Sequence, residues 1–406
     1  MAQSAKTPTP SPAPQDIVGV REVADIEEQS YEVIQSLRNR VFEPDHTKRL
    51  KRRFAPAEAA SLVGRKAGSI RAAERAGRLP EPPRDARGRR SGYTLVDLNR
   101  MREEFGTRPW RDPAVDAPVH LAIQSFKGGV GKSTLAAHIS QYLALQGYRV
   151  CVVDCDPQAS LTALFGFHPD YDVHPDQTLA PYLAGERASL DYAVRETYWD
   201  QLHIIPANLD LYNVEYQLAA RLPSNPRALE RLRSGLEALG ERFDVVIIDP
   251  PPALGMISLS VLRAANAMIV PVRPATLDFA STAHFFTMLR ETMEKLTELG
   301  METRFRFLKI VANDMDEGKS AHVAITHMMQ RLYKDTMLTT VMRDSAEIDN
   351  ASAALMTVFE LERPITSREV HRRCVNYLVG VNREIELLIR KTWPSHRERL
   401  RAQGLL

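Results

Sequence analysis

From Val119 onward, short apolar runs alternate with longer stretches in which apolar residues recur every three or four positions. The short runs, at 119–125, 149–154, 202–206, 243–249, 267–272, 304–312 and 336–341, predict strands, and the stretches between them predict helices. Such alternation predicts an α/β fold, a doubly wound and mainly parallel sheet with helices on both faces. A last long helix, over about 367–391, carries Val370, Cys374, Leu378, Val381, Ile385 and Leu388 along one face, which packs on the sheet.

The first third of the chain reads differently. Residues 1–15 alternate proline with small polar residues (Pro8, Pro10, Pro12, Pro14) and predict a disordered tail. Within 16–44, Val23, Ile26, Tyr31, Ile34, Leu37 and Val41 follow helical steps, so 18–41 is a candidate pairing or docking helix. Residues 45–105 predict a compact module. A first helix runs from about Phe54, with Pro56 suited to its first position and Gly64 to its C-terminal cap. A tight turn through Arg65 and Lys66 leads to a second helix, about 67–76, ended by Gly77. Ile70 and Ala73 face inward there, leaving Ser69, Arg71 and Arg75 for DNA; two short helices so joined are a helix-turn-helix signal. The run Arg84 to Tyr93, with Arg87, Arg89 and Arg90, reads as a basic hairpin or wing for phosphate contacts. Thr94 and Asp97 then open a third helix carrying Leu95, Leu98, Met101 and Phe105. The alternative is a helical hairpin with a solvated basic face. Residues 106–118, with Pro109, Pro113 and Pro118, predict a linker to a second domain over 119–406.

Charge separates these parts. The chain carries a net +2, yet Asp45 to Arg111 holds 18 Lys/Arg against 8 Asp/Glu, so the rest is net acidic. A basic module joined to an acidic one reads as a nucleic-acid binder fused to an engine. Three cysteines, Cys151, Cys155 and Cys374, argue against a disulfide framework and fit a reducing compartment. The N-terminus lacks the apolar stretch of a signal peptide, and no apolar run approaches the ~18 residues of a membrane span.

The candidate chemistry lies at strand ends. Lys127-Gly128-Gly129-Val130-Gly131-Lys132-Ser133-Thr134 follows the first strand and opens a helix, the context of a P-loop. Its backbone N–H groups and the helix N-terminus would cradle phosphate, Lys132 would reach the β- and γ-phosphates, and the Ser133 hydroxyl would ligate Mg²⁺. In G-x-x-x-x-G-K-[ST] the first glycine would fall at 126, which is Phe126, and an extra lysine, Lys127, stands early in the loop. A lysine there points poorly at its own nucleotide and is placed to cross to one held by a facing subunit. The second strand ends in Asp154-Cys155-Asp156-Pro157-Gln158, with both carboxylates on one side at the strand's carboxyl end. The strand ending at Asp249 has the Walker B pattern, so Asp249 would hold Mg²⁺ through its water shell.

The P-loop with Lys127, together with the D-x-D-P-Q run at 154–158, resembles the ParA/MinD-type ATPases. From about 16 to 393 the chain resembles large ParA proteins with an N-terminal DNA-binding domain, especially the RepA-type partition ATPases of repABC-type plasmids. The resemblance implies ATP and Mg²⁺ as cofactors, and it implies that Asp156 lies beside the attacking water and Asp154 near the phosphate and Mg²⁺. It implies that Asn313 meets the adenine edge, and that Arg343, within Val341 to Ile348, lies on a DNA-binding surface. It further implies a cytoplasmic, nucleoid-associated homodimer with Lys127 acting in trans. Such a dimer binds DNA non-specifically and answers to a centromere-binding ParB/RepB-type partner, while the winged module reads the operator and autorepresses. A nucleotide-sensing repressor without a motor role is the rival. A membrane-cycling ATPase fits poorly, since 393–406 makes a poor amphipathic face. A nitrogenase-iron-protein-like reductase is discarded because Cys151, Cys155 and Cys374 are not placed as cluster ligands.

Overall fold

The computed structural model describes residues 19–41, 48–84 and 86–406. The expected tail, the flanking residues 16–18 and 42–47, and Asp85 of the basic hairpin lie outside the described residues. The chain divides into two units at the Lys48–Arg49 boundary. The first is the helix α1 (Val20–Val41), over the span its apolar steps predict. Its Val23, Ile26 and Ile34 are exposed.

The second unit begins with α2 (Pro56–Val63), α3 (Ala67–Arg75) and α4 (Leu95–Phe105). Pro56 opens α2, and Gly64 ends it in a left-handed conformation (φ 69°). That leaves a two-residue turn before α3, whose Ile70 and Ala73 are buried. Thr94 and Asp97 form a reciprocal capping box at α4. Phe54 pairs antiparallel with Tyr93, and Arg84 with Arg90, so the basic run is a short hairpin laid against the helices.

The sheet has seven strands: β1 (Val119–Ile123), β2 (Val150–Asp154), β3 (Arg195–Glu196), β4 (Leu202–Ile205), β5 (Val245–Asp249), β6 (Ala267–Val272) and β7 (Phe307–Ala312). Their order is β3-β4-β2-β5-β1-β6-β7, parallel throughout except for β3 against β4. Side-chain alternation divides the core. Leu121, Ile123, Val150, Val152, Val245 and Ile247 face one cluster with Leu135, Ile139, Leu378 and Ile385. Ala122, Cys151, Val153, Val246 and Ile248 face another with Leu211, Leu232 and Ile257. Strands buried on both faces are apolar at successive positions, as these are. Helices used below are α5 (Lys132–Gln146), α6 (Thr276–Glu298) and α7 (Arg368–Lys391). On α7 the buried row is Cys374, Leu378, Val381, Ile385 and Ile389, with Leu388 only partly buried. All three cysteines are buried and free.

One expectation is corrected. The strand at 336–341 does not form. Leu338 N and Met342 N do donate to Ile310 O and Ala312 O, and one bridge joins Met337 to Ile310. Between them, however, the N–H groups of Thr339 and Thr340 donate to the Glu384 carboxylate, each at 2.8 Å, which breaks the ladder. The two-residue edge strand β3 went unpredicted, being too short for a periodic signal. Residues 106–118 join the two parts but are pinned. Trp110 Nε1 donates to Gly147 O (2.9 Å), and the buried Arg111 guanidinium donates to Asp116 O (2.7 Å) and to Gly240 O. The basic module is likewise fixed to the sheet body. Arg102 on α4, fully buried, donates to Leu145 O at the end of α5 (2.5 Å), and Asn99 Nδ2 donates to Asp200 Oδ2 (2.6 Å).

Candidate functional site

The sheet order sets the site. β1 crosses through α5 to β2 on one side, whereas β5 crosses to β6 on the other, so the direction of winding reverses at β1 and opens a crevice at the strands' carboxyl ends. The loop 124–131 follows β1 into that crevice, and α5 starts at Lys132. Gly131 has φ 79°, a left-handed conformation that lets the chain turn into the helix. Lys132 is buried, and its ammonium donates to Lys127 O across the loop (3.3 Å). Burial pushes its pKa down, against the pull of Asp249 and Asp156. Gly128 and Gly129 are exposed, Val130 is buried, and Ser133 and Thr134 are half-buried.

Asp154 and Asp249 are register partners on β2 and β5 and end their strands side by side. Their environments differ. Asp154 is fully buried and accepts from Thr162 N (2.9 Å), Thr162 Oγ1 (2.7 Å) and Asp156 N (3.1 Å), so it braces the segment after β2. Burial pushes its pKa up to about 7 despite those bonds. Asp156, half-buried two residues beyond, accepts from Gln158 N (2.9 Å) and, after Asp249, is the second carboxylate acting on Lys132 electrostatically. Both Asp249 oxygens are buried without a hydrogen-bond partner. Burial and the neighbouring Asp154 raise its pKa to about 8, and Ser133 and Lys132 act to lower it. A buried carboxylate left unpaired beside a hydroxyl and an ammonium fits a divalent cation, and Mg²⁺ needs few protein oxygens because it keeps several waters.

This gives a stability prediction. An acid whose folded pKa lies above its unfolded value of 3.8 costs the fold progressively as pH rises from about 4 to about 8. Asp249→Asn removes that cost. The metal-free variant should therefore melt above wild type at pH 8, by an amount that shrinks at pH 5, and should lose Mg²⁺-dependent stabilisation. Equal melting temperatures at pH 8 without Mg²⁺ would contradict the unpaired-carboxylate account.

Beside the loop, a cavity of about 200 Å³ is lined by Gly129, Gly131, Thr134, Asn313, Asp314 and Arg343 among others. Asn313 follows β7, and Arg343 precedes the helix Ala346–Ala353. The Arg343 guanidinium pairs with Glu317, lies 4.6 Å over the Tyr377 ring and donates to Tyr377 Oη (3.0 Å), so it walls the cavity. Lys127 pairs with Asp278 at the start of α6, in its own chain. The charge pattern gave no sign of this partner, because Asp278 reads as an ordinary acidic residue in a helix's first turn.

On the basic module, Lys66 just before α3 and Ser69, Arg71 and Arg75 on it are exposed, and Arg87 and Arg89 are exposed on the hairpin. Arg65 is exposed with its guanidinium 5.8 Å over Phe105. Arg90 turns inward. It donates to the buried Glu74 of α3 (2.6 Å) and to Tyr93 Oη (3.2 Å), and Tyr93 Oη donates to Glu74 (2.7 Å). Burial and the Glu74 contact push the Tyr93 phenol up to about 12. Arg90 thus ties hairpin to helix, a role invisible while Glu74 reads as a surface residue.

Comparison with known proteins places this geometry among relatives. An AAA domain family model matches residues 119–301. Protein SopA of Escherichia coli (strain K12) is 35% identical, covering 77% of this chain and 82% of its own. A replication protein A of Rhizobium rhizogenes is 32% identical over 86% of this chain and 90% of its own. A solved structure named Partition Protein superposes with a TM-score of 0.64 at 19% identity, covering 90% of this chain and 98% of that one, a likeness of fold. No helix among the described residues is long and apolar enough to cross a membrane.

Proposed function

The chain belongs to the ParA/MinD-type family of plasmid-partitioning ATPases, and from that premise we propose that it is a nucleotide-switched motor that binds DNA in two ways. The observation that carries the proposal is the convergence of Lys132, Asp156 and the unpaired Asp249 at the loop whose Gly129, Gly131 and Thr134 also line the neighbouring cavity. In this reading the 128–134 backbone and Lys132 bind the triphosphate of ATP. Ser133 and Asp249 would hold Mg²⁺, which supplies charge neutralisation at the phosphate oxygens. Asp156 orients the attacking water and takes its proton through the carboxylate. Asp154, occupied by Thr162, acts through Asp156 by fixing the turn that carries it. Lys127 leaves Asp278 to meet the phosphates of a second subunit, closing a homodimer that coats DNA without sequence preference. A centromere-binding ParB/RepB-type partner then stimulates hydrolysis and release, and the work is cytoplasmic, at the nucleoid.

The module at 45–105 would read an operator through α3, with Lys66, Ser69, Arg71 and Arg75 toward the major groove and Arg87 and Arg89 on phosphates. Autorepression follows from that reading. Arg71→Ala should weaken operator binding about tenfold or more, the loss of one base or phosphate contact of ~1–3 kcal/mol. Basal ATP turnover should not change. Unaltered footprints would show α3 to be misassigned.

The test of the whole is ATP hydrolysis alone, with non-specific duplex DNA, and with a candidate centromere-binding partner. Weak turnover that rises with both supports the motor. Turnover indifferent to both, beside sequence-specific DNA binding, would leave a nucleotide-sensing repressor. The rigid tie of Arg102 to the end of the P-loop helix gives that second reading physical support.

A further inference from the structure

The cavity beside the P-loop and the loop itself are joined by one side chain. Asn313 is nearly buried, and its Nδ2 donates to Val130 O at 2.7 Å. Its own backbone N donates to Val272 O (2.9 Å), so the side chain springs from the sheet and not from a loose turn. The Val130 carbonyl and the Gly131 N–H belong to one planar trans peptide, and the two groups point in opposite directions. A hydrogen bond that holds the carbonyl toward Asn313 therefore aims the Gly131 N–H away from it. The approach is close: a Cβ at position 131 would stand 2.6 Å from Asn313 Nδ2. Gly131 is thus required twice, by its φ of 79° and by the Asn313 amide packed over it.

We propose that Asn313 is a positioning residue for the phosphate cradle, fixing the Val130–Gly131 peptide independently of any contact it makes with a base. This rests on the reading of 127–134 as a phosphate-binding loop. An asparagine amide has two N–H donors and a carbonyl acceptor. One donor goes to Val130, and the remaining groups stay available to the cavity that Asn313 also lines. The same side chain therefore links occupation of the cavity to the shape of the loop. Without it the buried Val130 carbonyl loses its partner and the loop loses its set orientation before ligand arrives.

A ligand with phosphates and no base separates this role from base recognition. Displacement of labelled ATP by inorganic tripolyphosphate, with Mg²⁺, is measured on the full-length chain and on Asn313→Ala. The expected result is a tenfold or larger loss of tripolyphosphate affinity, with ATP weakened at least as much. Asn313→Asp is nearly isosteric and puts an acceptor against the Val130 carbonyl. It should lose tripolyphosphate binding at least as strongly while keeping a cooperative melt, which separates loop positioning from failure to fold. Unchanged tripolyphosphate affinity with weakened ATP would overturn the inference and leave only a base contact. Tripolyphosphate that fails to displace ATP from the wild type would also overturn it, since the cradle would not then bind phosphate by itself. Wild type that binds neither would sink the nucleotide reading as well.

Discussion

Asp156→Ala is expected to lower ATP turnover by about a hundredfold or more while ATP binding stays within a few fold of wild type. The size follows from general-base catalysis, which contributes ~10²–10⁴ in rate, and from the position of Asp156 outside the phosphate cradle itself. Its carboxylate is half-buried at the open end of β2, accepts only the N–H of Gln158 among the bonds of the described residues, and so keeps acceptor capacity for a water. The neighbouring Asp154 does not have that freedom, being filled by Thr162 and the Asp156 N–H. The two aspartates should therefore separate experimentally. Asp156→Ala leaves a folded protein that accumulates in its ATP-bound, closed form. Asp154→Ala removes a brace from the core and lowers the melting temperature. Quench-flow measurement of the chemical step with sedimentation of the ATP complex reads both. Unchanged turnover in Asp156→Ala would remove it from the mechanism.

That contrast marks how far the sequence could be read. The strands were legible because β2 and β5 are buried on both faces and must be apolar throughout. The carboxylates at their ends were legible because nothing but chemistry or a cap puts two charges at the end of a buried strand. Which carboxylate is free and which is filled was not legible, since it depends on Thr162 folding back onto Asp154. The same limit applies to the basic module. Helix lengths, caps and the inward Ile70 and Ala73 follow from local rules. The inward turn of Arg90 follows from Glu74 being buried, a tertiary fact. The partners of Arg343, Glu317 and Tyr377, come from other elements and were not legible either. The 336–341 run had the right composition for a strand and lost the ladder to Glu384, a side chain on a helix distant in sequence.

Lys127→Ala should retain ATP binding within a few fold and lose ATP-dependent dimerisation. In this structure Lys127 is held by Asp278, and its side chain is 40% exposed against 10% for its partner. The half-exposed ammonium of Lys127 leaves this pair screened by water on its side, which weakens it relative to a fully enclosed pair. A triphosphate presented by a facing subunit, more highly charged and shielded from water once the interface closes, would outcompete it. The pair is thus weak enough to exchange and close enough to hold Lys127 off its own nucleotide meanwhile. A purely structural role for the pair makes a different forecast, because either partner's removal would then do the same harm. Asp278→Asn decides between them. If Lys127 works in trans, Asp278→Asn frees it and the dimer forms at equal or lower ATP concentration, while Lys127→Ala does not dimerise. If the two variants fail alike in sedimentation velocity, the pair is a strut of the α6 start, and the trans role falls. A normal ATP-bound dimer in Lys127→Ala would end it outright.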